Sequence, residues 1–325
     1  MKIVVFEQYR GEATVKIGHY FFTELMSSEE LSIKIVGEDY PADNLTYKDK
    51  PINLEEVKSF NPDALFFGTW YINKIIKGKD HNAIETIKDI TKPKFCIVTD
   101  YPYRKEEHDK IWKRLNIKNI LCLDGSEHSL RDHDYFKYYY FPWSINENSF
   151  FDRKQIKKYK TSVFGGIDPS LYPMRLRVNN LFHEAFGQDH FYLGPVYDYM
   201  NGNNPSMEEY SRLINQCKIC FTDGHYAELA NAKYSEIAGS NCLIMSPKFE
   251  TSKDLDLAGF EENENIIYVN YKDSDTQIIE KTKKVLEDSS RLEKMSLSGY
   301  NLIHTKHTNK NRVKDLMQII KSATQ

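Results

Sequence analysis

The chain has 325 residues, enough for two domains or one large one, and it can bury a core without help from disulfides or metals. Lys plus Arg total 44 against 47 Asp plus Glu, a formal net charge of −3, which excludes a strongly basic nucleic-acid coat and an acidic disordered tail. No apolar run has the length of a membrane span, no leader-like segment opens the chain, and the odd, scattered set of five cysteines reads as reduced thiols, so a cytoplasmic protein is expected.

Taken in chain order, short β-branched or aromatic runs at 3–6, 32–36, 64–68, 95–99 and 120–123 alternate with helical patterns at 54–60, 83–90 and 105–115. Such alternation predicts an α/β domain with a mostly parallel sheet, and the near-continuous apolar runs predict strands covered on both faces. A further run at 138–141 meets Pro142, and the polar stretch 144–160 reads as an interdomain linker. The alternation then restarts, with strand-like runs at 161–165, 191–193, 219–222, 242–245 and 266–269. Helical patterns fall at 173–186, 207–215, 232–238 and 276–286, and two more close the chain at 289–303 and 309–321. The fold class read from this is α/β, two tandem Rossmann-like doubly wound domains with a cleft at the carboxyl ends of their strands. The boundaries are 1–143, a linker at 144–160, 161–306, and a terminal helix at 307–325.

Four segments carry candidate chemistry. In Ser162-Val163-Phe164-Gly165-Gly166-Ile167-Asp168 a strand runs into two glycines, then a loop and a helix beginning near Pro173, with Arg175 and Arg177 near its start. Glycines admit backbone N–H groups to a phosphate, and a guanidinium can clamp a diphosphate; a plain strand-end turn is the competing reading. Glu228 and Glu236 are spaced to share roughly one face if both belong to one helix, with Lys233 one turn before Glu236. A carboxylate there can accept bonds from ribose or sugar hydroxyls, and the surrounding Ala230, Ala232, Ala238 and Gly239 argue for a tightly packed helix rather than a solvated face. Thr99-Asp100 ends a strand and offers a general base to the cleft, or an Asp capping a turn before Pro102. The loop Glu7-Gln8-Tyr9-Arg10-Gly11 follows the first strand and is less specific. Cys217 and Cys220 are spaced like a redox or zinc pair, but without a second pair they read as small apolar packing. Asp132-His133-Asp134 and Asp254-Leu255-Asp256 do not directly follow strand-like runs and read as surface turns.

These pieces together resemble the GT-B glycosyltransferases. From Phe141 to about Ile320 the chain is similar to the CgeB-like (spore-maturation type) family, on Phe141-Pro142-Trp143-Ser144-Ile145-Asn146, Val163-Phe164-Gly165-Gly166 with Arg175, Lys233-Tyr234-Ser235-Glu236-Ile237-Ala238-Gly239, and His307-Thr308 with Arg312. Val98-Thr99-Asp100 resembles the strand-end Thr-Asp of phage DNA β-glucosyltransferases, although Lys233 stands where they usually have Arg and the terminal motif does not match. The resemblance implies transfer of a sugar from a UDP-linked donor such as UDP-glucose to an acceptor hydroxyl. It assigns the C-terminal domain to the donor, the N-terminal domain to the acceptor, and the terminal helix to a crossing back onto the N-terminal domain. Gly165, Gly166, Arg175 and Lys233 would hold the diphosphate and Glu236 the ribose, while Glu228 would face the sugar and Asp100 would act as base. The Asp100 match implies inversion, the paired glutamates retention. No cofactor or catalytic metal is expected, and the acceptor is either a hydroxymethylated DNA base or a cell-envelope glycan. A DNA groove would draw on Tyr101, Tyr103, Arg104, Lys105, Lys110, Lys113 and Arg114, which a solvated basic helix explains as well. A sugar-nucleotide epimerase and an inactive GT-B binding protein are the alternative readings.

Overall fold

The computed structural model describes residues 1–7, 21, 24–25, 27–36, 54–68, 72, 81–98, 105–123, 135–194, 205–224 and 228–324. They form two compact units, one gathering the residues up to Pro142 with those from Lys310 onward, the other running from Trp143 to Asn309.

In the first unit the strands β1 (Lys2–Phe6), β2 (Ser32–Val36), β3 (Ala64–Phe67), β4 (Lys94–Val98), β5 (Asn119–Cys122) and β6 (Lys137–Tyr140) make a parallel sheet in the order β2-β1-β3-β4-β5-β6. The helices α1 (Leu54–Phe60), α2 (His81–Lys88) and α3 (Lys105–Leu115) connect them. Side chains alternate across a strand, so each face of the sheet has its own core. Val4 and Phe6 join Val57, Ile84, Ile87, Trp112 and Leu115 from α1, α2 and α3. Ile3 and Val5 join Leu25 and, from the last helix α10 (Asn309–Thr324), Val313, Leu316, Met317 and Ile320.

In the second unit β7 (Tyr159–Phe164), β8 (His190–Leu193), β9 (Cys217–Phe221), β10 (Leu243–Pro247) and β11 (Ile266–Val269) are again parallel, in the order β11-β10-β9-β7-β8. The helices are α4 (Pro173–Phe186), α5 (Met207–Asn215), α6 (Ala232–Gly239), the single-turn α7 (Asp254–Leu257), α8 (Asp275–Glu287) and α9 (Ser289–Lys306). On one face Val163, Phe221 and Met245 pack against Met174, Val178 and Phe182 of α4, Ile278 of α8 and Met295 of α9. Elsewhere in the unit Tyr210 of α5 stands edge-on to both Phe164 and Phe150. Chain connections leave β7 toward β8 on one side and pair it with β9 on the other, so the strand order reverses at β7. Ligands of open α/β sheets bind beyond the strand carboxyl ends at such a point.

Two readings need correction. Asp254 is no surface turn: it is fully buried at the start of α7, and its carboxylate accepts the Ala230 N–H at 3.0 Å. Glu228 and Glu236 do not share a helix, because α6 begins only at Ala232 and Glu228 sits ahead of it with φ of 53°. The five cysteines are free and buried, as packing residues would be. Asp132 to Asp134 and the loop from Gln8 to Gly11 lie outside the described residues.

Candidate functional site

The carboxyl ends of β7 and β9 carry the residues on which the site is built. Beyond β7 the backbone turns at Gly165 with φ of 104°, a conformation that favours glycine. A Cβ on Gly165 would stand 2.7 Å from Lys233 Cε and 3.1 Å from Arg175 Nη1, so it would have to push the flexible end of Lys233 aside. Two cationic side chains from different helices therefore meet at one glycine. Arg175, in the first turn of α4, is 1% exposed. Its Nη1 donates to the Gly166 carbonyl at 2.8 Å, and its guanidinium stacks 3.7 Å above the Tyr172 ring.

Its partner is Asp223, two residues past β9 and also 1% exposed. Arg175 Nη2 lies 2.7 Å from Asp223 Oδ1, and Asp223 Oδ2 accepts the Arg175 backbone N–H at 3.1 Å. Burial pushes the Asp223 carboxyl up from its ordinary value, and the adjacent Arg175 works against that rise. The Asp223 carbonyl accepts from Arg175 Nη2 and from Asn231 Nδ2, each at 3.0 Å. Asn231 is the N-cap of α6, and its side chain accepts the Lys233 N–H at 3.0 Å.

One turn along α6, Glu236 is 4% exposed and accepts from the Tyr210 hydroxyl at 3.2 Å. Burial raises its pKa, opposed by Lys233 and Tyr210. α6 packs so closely that a Cβ on Gly239 would meet Ile145 Cδ1 at 2.6 Å. Glu228 is engaged differently. Its carboxylate accepts from the N–H groups of Glu250 (2.8 Å), Thr251 (2.6 Å) and Ser252 (3.1 Å), and from Thr251 Oγ1 (2.6 Å). Burial pushes its pKa up, but these donors outweigh it and hold the carboxyl below its usual range.

The structure thus brings Gly165, Gly166, Arg175, Lys233 and Glu236 into one neighbourhood, with Glu228 anchoring the loop after β10. Arg177 is employed elsewhere: it forks onto Asp275 at 2.7 Å and onto the carbonyl of Asp273, bracing the loop after β11. Asp100 and residues 101–104 lie outside the described residues. Sequence reasoning missed Asp223 and Tyr210. A signal for Asp223 existed, since Asp223-Gly224 follows β9 as Thr99-Asp100 follows β4. Its significance comes from Arg175, 48 residues away, which no local pattern reveals.

Residues 177–318 match the family model described as glycosyl transferase-like. No curated protein matches the chain. Among solved structures, the whole fold is similar to a glycosyltransferase from Rickettsia africae, at 9% identity over 99% of this chain and 98% of that one, with a TM-score of 0.64. It is also similar to a sucrose-phosphate synthase from Thermosynechococcus elongatus, at 9% identity, the same coverage and a TM-score of 0.63. An alpha-glucosyltransferase in complex with UDP aligns at 13% identity over 99% of this chain and 100% of that one, with a TM-score of 0.61. No helix of the described residues is long and apolar enough to cross a membrane. Two parallel-sheet Rossmann-like units give the chain the fold of the GT-B glycosyltransferases, and residues 177–318 of the second unit and the last helix carry the glycosyl transferase-like match.

Proposed function

We propose that the protein transfers a sugar from a UDP-linked donor to an acceptor hydroxyl. The observation that carries the reading is the convergence of Lys233 and Arg175 on Gly165, at the strand-order reversal of the second unit. As the anomeric C–O bond breaks, the bonding electron pair stays on the diphosphate oxygen and adds one negative charge to the two already there, and preorganised cations with backbone N–H groups can stabilise it without a metal. Lys233, Gly165 and Gly166 would take the phosphates, Arg175 adding positive potential from beneath. Glu236 would accept from the ribose hydroxyls. Glu228 would act on the sugar side chiefly by fixing the loop at Glu250–Ser252, and Asp100 would deprotonate the acceptor. The similar structures support the donor class, since two are bound to UDP or to UDP-glucose with DNA.

A hydroxymethylated DNA base is the first acceptor to test, because the alpha-glucosyltransferase structures include DNA complexes. A cell-envelope glycan is the second; a pneumococcal O-GlcNAc transferase bound to UDP and GlcNAc also aligns, at 14% identity and a TM-score of 0.52, and supports the donor class only. On α3, the exposed Lys110 and Lys113 would be available to DNA phosphates, whereas Arg114 already bonds Glu85 at 3.1 Å.

The test is a thermal-shift screen against nucleotides, followed by UDP release from UDP-sugars with each acceptor. UDP should raise the melting temperature, by the equivalent of about 2.7 kcal/mol at a hundredfold excess over Kd. Glu236→Ala should weaken UDP binding about tenfold or more by calorimetry while the protein stays folded. No shift with any nucleotide would favour an inactive binding protein. UDP release without acceptor consumption would favour an epimerase-type activity.

A further inference from the structure

We propose that Asp223 is the positioning residue of the donor site, fixing Arg175 from one side and the start of α6 from the other so that both cations meet at Gly165. This rests on the donor reading above, which supplies the diphosphate that the two cations would hold.

The argument begins with what Asp223 gives up. A carboxylate just past a strand end is ordinarily solvated, yet this one is 1% exposed, as is its partner. Burying such a pair is poor value as stabilisation, since apolar residues of similar volume often do as well. What the pair supplies is geometry. The two carboxylate oxygens take different donors from one residue: the guanidinium at 2.7 Å and the backbone N–H at 3.1 Å. The first bond sets the direction of the Arg175 side chain, and the second sets the first turn of α4. The N-cap of α4 is Tyr172, which makes no side-chain cap, so Asp223 supplies the carboxylate that this helix start lacks locally.

The Asp223 carbonyl continues the linkage through Asn231 Nδ2 to the N-cap of α6, and Asn231 Oδ1 holds the Lys233 N–H. From the other side Arg175 Nη1 holds the Gly166 carbonyl. The chain of bonds Gly166–Arg175–Asp223–Asn231–Lys233 therefore starts and ends at the glycine turn, where Lys233 Cε and Arg175 Nη1 crowd the position a Gly165 Cβ would take. Arg175 Nε has no partner among the described residues, so the guanidinium keeps a donor beyond those that Asp223 and Gly166 satisfy. Asp223 touches no ligand in this scheme; it acts through Arg175 and α6.

The test compares UDP with UMP by calorimetry on the full chain, in wild type, Asp223→Asn, Arg175→Gln and the double variant. Asparagine keeps an oxygen for the Arg175 N–H but loses the charge that orients the guanidinium. The preference for UDP over UMP should fall about ten- to a hundredfold in Asp223→Asn, while UMP affinity changes little. The double variant should bind UDP no more weakly than Arg175→Gln alone. An intact preference in Asp223→Asn, an equal loss of UMP and UDP binding, or losses that multiply in the double variant would each overturn the assignment. If Asp223→Asn does not fold, the double variant, which leaves no lone buried charge, still decides by its comparison with Arg175→Gln. Failure of the wild type to bind UDP would bring down the donor reading and this proposal with it. UDP binding that ignores Asp223 brings down the proposal alone.

Discussion

At Glu228 the backbone takes φ of 53°, a region that glutamate enters at some cost. The return is an oxygen pair aimed at the start of the segment after β10, where three backbone N–H groups and the Thr251 hydroxyl point at it. Converging amides form an anion-binding concavity, and here the chain fills it with its own carboxylate. Glu228→Gln replaces one acceptor oxygen with a donor facing donors, and should cost about 2 kcal/mol at pH 7. The sign of the pH dependence follows from the lowered carboxyl. Its folded-state value lies below the unfolded one near 4.3, so the stabilisation is complete above about pH 4.3 and is lost as pH falls through the folded value. Urea unfolding should show the gap between wild type and Glu228→Gln wide at pH 7 and narrow at pH 3. A gap that does not change with pH would mean that the charge is not what holds the segment.

The elements that position the site were legible where their signals are local. The limits of α1, α3, α4 and α5 follow from apolar period and end signals such as Pro173 at the first helical position of α4 and Ser206 capping α5. β9 starts earlier than its apolar core suggested, at Cys217, because the half-buried Lys218 hides its first residues from a hydrophobicity reading. What was not legible joins residues far apart in sequence: Arg175 with Asp223, Glu228 with residues 250–252, Tyr210 with Glu236. Each pair depends on which strands neighbour one another, and a one-dimensional pattern carries no such information. Gly239, a packing position of α6, and Gly165, at the site, separate these levels experimentally. Gly239→Val forces its new atoms against Ile145 and Ile303 in a packed helix, and should lower stability by about 1–3 kcal/mol in thermal unfolding. Gly165→Ala meets the flexible end of Lys233 at a left-handed turn, and should displace the cation and weaken UDP binding by more than its loss of stability explains. Equal effects of Gly165→Ala on UDP and UMP would argue against a cation role for that turn.

Across the whole molecule, the division into two units does not follow chain order, since the last helix belongs with the first unit. Sequence pattern identified α10 as a helix. Its place in a core depended on the terminal-motif resemblance, because an amphipathic helix does not announce which sheet it covers. The structure lays Val313, Leu316, Met317 and Ile320 against Ile3, Val5, Phe66 and Phe95, closing one face of the first sheet. Each of these four buried side chains is worth about 1.5–3 kcal/mol, so the helix contributes about 6–12 kcal/mol. That is comparable with the whole stability of a typical domain, about 5–15 kcal/mol. Leu316→Ala, at a fully buried site, should cost about 2–5 kcal/mol. A chain ending at Asn309 should leave the first unit unfolded, because its sheet would present an apolar face to water. The core between the second sheet and α4, α8 and α9 contains no residue beyond Met295, so that unit should survive. Hydrogen exchange followed peptide by peptide separates the outcomes. Protection should vanish in β1, β3 and β4 of the shortened chain and persist in β7, β9 and β10. Protection that survives in β1 would mean that the helices on the opposite face are sufficient to hold the first sheet.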